Sequence, residues 1–156
     1  MRRNRFDLFT GNIVIGTYRF LTLVLPEGWA VQRSRAPSDI YYTGVVQGKG
    51  WVTEGYAHYY LTNLVTGERY DLLIEVKKGA KGVDLTEQSE LTTFSGHSAS
   101  VSKRVYSVGL FRKREVREVT IKTACQLTSR TIAIQISSQE DLPSEVLEAL
   151  SESECH

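Results

Sequence analysis

The segment VYSVGLFRKREVREVTIKTACQLTSRTIAIQIS, Val105–Ser137, decides the fold. Val119, Ile121, Cys125 and Leu127 recur on alternate positions with Thr123 among them, while Glu118, Thr120, Lys122 and Gln126 fall on the other side. Ile132, Ile134 and Ile136 repeat the pattern after Thr128–Thr131. A period of two is the strand signature, because successive side chains leave opposite faces of a pleated chain. A loop at 128–131 sets Leu127 against Ile132 and Cys125 against Ile134. A loop at Arg112–Glu115 sets Val108 against Val119 and Tyr106 against Ile121. The segment is therefore expected to be a three-stranded meander with Val108, Val119, Ile121, Cys125, Ile134 and Ile136 in one buried layer.

Working outward, Tyr56–Lys77 forms a second hairpin about Thr66-Gly67. That loop pairs Ala57 with Val76, Tyr59 with Ile74, Leu61 with Leu72 and Asn63 with Tyr70 on a mainly apolar face. The opposite face pairs Tyr56 with Lys77, His58 with Glu75, Tyr60 with Leu73 and Thr62 with Asp71, as expected of a half-buried hairpin. Two N-terminal strands, Tyr18–Leu25 and Trp29–Gln32, flank the turn Pro26-Glu27-Gly28. Arg33–Gly50 is polar, with Trp51–Thr53 resuming strand. Asp84-Leu85-Thr86-Glu87 has capping-box spacing and predicts a short helix ending near Leu91. Pro143–Leu150 predicts a second helix, with Leu142, Val146, Leu147 and Leu150 on one face. Residues 1–156 are thus expected to form a single α+β domain, an antiparallel sheet of about six to seven strands closing on a meander, flanked by a few helices including the C-terminal amphipathic one.

Three features together resemble the PsbP-like family, whose members include photosystem II accessory proteins and relatives that bind a nuclear-transport GTPase. They are the strand running into Leu25-Pro26-Glu27-Gly28-Trp29, the Gly-anchored turn Ser95-Gly96-His97-Ser98-Ala99, and the closing meander followed by an amphipathic helix. The resemblance implies an antiparallel sheet flanked by helices and a non-catalytic binding module. It carries over no functional residues, and without the long N-terminal extensions of the photosynthetic members no thylakoid role is expected.

Composition excludes other classes. Of 156 residues 41% are hydrophobic, too many for a disordered chain, and 2 Cys are too few for a disulfide-held miniprotein. The formal charge is only +1, so no bulk attraction to nucleic acid or membrane is expected. Charge is instead local. Residues 103–117 carry Lys103, Arg104, Arg112, Lys113, Arg114 and Arg117 against Glu115, while Glu140–Glu154 is acidic without a base. No apolar run reaches the roughly 18 residues of a membrane span. Met1-Arg2-Arg3-Asn4-Arg5 is not followed by the apolar core of a signal peptide, so a cytoplasmic protein is expected.

Chemistry has few anchors. His58 opposite Glu75, flanked by Tyr56, Tyr60 and Asp71, is a candidate base with its orienting acid, or else an ordinary cross-strand pair. His97 lies in a Ser/Gly turn that could hold an anion on backbone N–H groups. Gly44, Gly48 and Gly50 around Lys49 lack phosphate-loop spacing. His58, His97 and His156 are far apart in sequence and Cys125 has no Cys-x-x-Cys partner, so neither a metal nor a cofactor is expected. Cys125 reads as a small buried hydrophobe and Cys155 as exposed, with a Cys125–Cys155 disulfide as the alternative. The basic hairpin, with Phe111 as a stacking surface, is the candidate site for an anionic partner, or a charged turn that merely keeps the edge soluble. The acidic C-terminal helix is a candidate partner for it. Tyr41, Tyr42, Trp51, Tyr56 and Tyr60 form a second candidate surface, unless they are core.

The favoured reading is a binding or assembly module without catalysis, engaging another protein or a second copy. The alternatives are a small hydrolase-like enzyme using His58 or His97, and a nucleic-acid binder working through the 103–117 hairpin.

Overall fold

A computed structural model of the chain describes residues 2–12, 16–33, 55–79, 89–127 and 129–155. In chain order these form β1 (Arg3–Asn12), β2 (Gly16–Pro26), β3 (Trp29–Arg33), β4 (Gly55–Asn63), β5 (Arg69–Lys78), β6 (Ser89–Phe94), β7 (His97–Val108), β8 (Arg114–Cys125), β9 (Arg130–Ser138) and α1 (Ser144–Leu150). β1 and β2 pair as a two-stranded ribbon, and the rest build a seven-stranded sheet in the order β3-β4-β5-β9-β8-β7-β6. Every described pairing is antiparallel. The meander stands, with β9, β8 and β7 adjacent.

One face of the large sheet makes the core. Leu61, Leu72, Ile74, Ile132, Ile134 and Ile136 are each at most 1% exposed, and the ribbon's Leu21, Leu23 and Leu25 and the helix's Val146 and Leu150 close over them. Burying each such side chain contributes about 1.5–3 kcal/mol, so the alternation in β5, β8 and β9 outweighs any weak local preference. α1 has seven residues, too few to hold a helix by itself, and packs with Val146, Ala149 and Leu150 buried. Leu142 and Leu147 lean on the same core from its margin.

Several expectations change. The architecture is sheet-dominated: among the described residues there is one short helix rather than a few. Residues 89–91, expected to end a helix, begin β6. Residues 84–88 lie outside the described residues, as do 34–54 with Tyr41, Tyr42, Trp51 and the glycines around Lys49. The Arg3–Asn12 strand was not anticipated. Faces were right in β4–β5 and β8–β9, but registers moved. His58 opposes Leu73 and Leu61 opposes Tyr70. Cys125 opposes Arg130 and Ile121 opposes Ile134, leaving Leu127 in the turn at 74% exposed. In both hairpins the slip is an even number of positions, so the buried set survives it.

β7–β8 is different. Val108 pairs with Arg114 and Tyr106 with Val116, while Val119 faces Lys103 and Ile121 faces Val101. Val108 therefore leaves the buried layer, and Ala99 enters it, fully buried. The turn falls at 109–113, where Gly109 has φ +107° and a Cβ would run into the Arg112 carbonyl. Only glycine fits there.

Candidate functional site

The outer face of the sheet carries the polar pairs. The two-position shift in β4–β5 separates His58 from Glu75: the imidazole Nε2 lies 3.0 Å from Asp71 Oδ1, and Glu75 takes the Lys77 ammonium at 2.9 Å. That carboxylate holds Lys77 above its ordinary pKa. The Tyr60 ring stands edge-on to His58 at 5.2 Å and carries the Arg69 guanidinium 4.5 Å above it. His97 sits on β7, with β5, β9 and β8 between it and the β4 strand of His58, so the two histidines do not converge. Between the charged pairs lies an open trough of about 380 Å³, which Leu73, Glu75, Arg104, Glu118, Lys122 and Gln135 help to line. Sequence reasoning missed it. Its signal was the small outward residues Ala133, on the central strand β9, and Ser102, on β7.

The proposed basic site divides. Arg104 turns to the outer face, donates to both Glu118 oxygens at 3.1 and 3.3 Å, and lies 4.6 Å over the Tyr106 ring. Tyr106 donates its hydroxyl to the same carboxylate at 3.2 Å, and burial, then the Glu118 charge, raises its pKa. Arg117 pairs with Asp141 at 3.2 Å and Glu115 at 3.5 Å. Lys103 faces Val119 on the other side of the strand. Phe111, Arg112, Lys113 and Arg114 stay together at the exposed tip, and Leu110 joins them. Leu110 and Phe111 are 93% and 99% exposed.

This tip is carried outward. β9 pairs with β8 only from Arg117 onward, and β6 reaches β7 only as far as Ser102, so among the described residues the hairpin beyond them pairs with itself alone. The β4–β5 loop, with Leu64 and Val65 exposed, leaves the sheet at the same end. The acidic C-terminal segment does not cover this arm beyond the Arg117–Asp141 pair: Glu152 accepts from Arg3 at 2.9 Å and Glu154 from Arg5 at 2.5 Å. The basic start of the chain is thus the acidic tail's partner.

At the other end of the sheet, the true β7–β8 register, continued two residues, brings His97 opposite Cys125 on the inner face. Cys155 arrives from beyond α1. One ligand atom each from His97, Cys125 and Cys155 lies within 4.8 Å of the others. Both cysteines are buried thiols rather than a disulfide, which corrects the expectation that Cys155 is exposed. Burial, with the thiol contact to Cys125, pushes Cys155 up to about 12. Backbone contacts fix this corner. Ser95 and Gly96 both take positive φ, the geometry of a two-residue hairpin turn. Ser95 N–H donates to Ser151 O at 3.1 Å, Cys155 N–H to Ser95 Oγ at 3.3 Å, and Thr22 and Glu154 exchange backbone bonds of 2.8 and 2.9 Å. The expectation that no metal-ligand set converges is overturned by this corner.

A solved protein from Bacteroides thetaiotaomicron VPI-5482 shares the fold, with a TM-score of 0.53 at 11% identity over 88% of this chain. This chain spans 45% of that one's length. No family model and no curated protein matches the chain. Among the described residues no helix is long and apolar enough to cross a membrane.

Proposed function

We propose that this protein is a non-catalytic binding module whose β7–β8 arm docks an acidic segment of another protein. The observation that carries this reading is the near-complete exposure of Leu110 and Phe111 beside Arg112, Lys113 and Arg114. Covering two such side chains yields about 1.5–3 kcal/mol each, which the domain's own core does not collect. The neighbouring bases steer and orient an acidic partner. Leu64 and Val65 are also exposed at the same end of the sheet. The likeness to the PsbP-like family belongs to the same proposal, since that family's members bind rather than catalyse. Two reduced thiols suit a reducing cytoplasm, where we place the module.

The test is a photo-crosslinking residue in place of Phe111, activated in the native cell and followed by mass spectrometry. A discrete protein adduct, lost when Arg112→Glu and Arg114→Glu are added, is the expected result, and an adduct with a second copy makes the module an assembly element. No adduct overturns the reading. Capture of single-stranded nucleic acid, weakening steeply with salt, replaces it with the nucleic-acid alternative.

A further inference from the structure

We propose that His97, Cys125 and Cys155 bind a divalent cation of the zinc class at the corner where the C-terminal segment meets the sheet. Two thiolates and an imidazole are the ligand types that favour zinc over the oxygen-seeking magnesium and calcium. The three ligand atoms lie within 4.8 Å of one another. Zinc–sulfur bonds of about 2.3 Å and zinc–nitrogen bonds of about 2.0–2.1 Å place tetrahedral ligands roughly 3.5–3.8 Å apart. A cation at this corner therefore requires the three side chains to draw together by about 1 Å. The backbone is already held by Ser95–Ser151, Cys155–Ser95 and Thr22–Glu154 contacts, so the three carriers are in place before the cation arrives.

The alternative use of neighbouring Cys and His is a nucleophile with its base. Here that fails on access, since Cys125 is 0% and Cys155 3% exposed and no substrate reaches a sulfur so enclosed. A cation changes the balance by supplying the positive charge that a buried thiolate needs. On binding, the two S–H bonds break, two sulfur–metal bonds form and two protons leave to solvent. The imidazole contributes a lone pair, and no electrons are transferred. The fourth position falls to a water.

Cobalt(II) titration of the reduced, full-length chain is the test. Saturation at one equivalent, with thiolate-to-metal charge-transfer absorption, release of about two protons and displacement by zinc, is the expected result. Cys155→Ala should remove about half of that absorption, and His97→Gln should weaken binding at least about tenfold. Because a cysteine variant can fail to fold, the ring nitrogens of His97 are also followed by NMR in the wild-type chain, where zinc should shift them. Three results overturn the proposal: uptake well below one equivalent, binding without thiolate absorption and with His97 unmoved, or isolation as a Cys125–Cys155 disulfide that binds no cation after reduction.

Discussion

Glu118 is 7% exposed, and a buried carboxylate is stabilising only while its partners hold it. Arg104 and Tyr106 do so, both from β7. Arg104→Ala leaves the charge with the phenol alone and should cost about 1–3 kcal/mol in urea unfolding. Removing Glu118 as well should recover part of that loss, and simple additivity in the double variant would refute the coupling. Tyr70 makes a pH-dependent contribution. Burial, then the Glu68 charge, raises its pKa from 10.0 to about 12. The fold therefore favours the neutral phenol, so its stabilisation is complete below pH 10 and disappears as pH climbs through 12. Tyr70→Phe should flatten the alkaline fall in melting temperature between those values. At this scale the sequence was only half legible. His58 was rightly placed on the polar face, but its carboxylate is Asp71, because a side chain pairs with whatever the register brings near and not with the nearest plausible charge.

Elements were legible wherever alternation was strong. Ile132, Ile134 and Ile136 announced β9, and Pro143 with Val146 and Leu150 announced α1. Ile134→Ala should cost about 2–5 kcal/mol, while Leu127→Ala should stay within about 0.5 kcal/mol, since Leu127 is in the turn. Equal losses at the two positions would restore the register expected from alternation alone. The β7–β8 turn was misread for a physical reason. Leu110 and Phe111 are apolar and so read as strand, whereas the backbone turns at Gly109, which alone tolerates the required angle. That odd-numbered slip moved Val108 off the core and hid His97 from Cys125. Gly109→Ala should destabilise by at least about 1 kcal/mol and broaden the NMR signals of the arm. β1 escaped notice because its first residues are charged and polar and leave only Phe6 and Leu8 to mark the alternation, although Leu8 packs in the core.

As a whole, the molecule has two unlike ends. One carries the projecting arm with its exposed apolar tip, the other a corner knitted together by backbone bonds from three parts of the chain. A two-stranded ribbon without a third neighbour is marginal by itself, so amides of 105–116 should exchange within the fastest class while those of 119–125 and 130–136 are the slowest. Uniform protection along β8 would contradict the arm's independence.

The bridge between Thr22 and Glu154 also sets an order of events during synthesis. The N-terminal ribbon is made early, yet its leucines gain their helical cover only once residues 146–155 have cleared the ribosome. Closing so long a loop is slow. A nascent chain stalled before that point therefore presents a greasy, unfinished surface, and it is there that a chaperone would find it.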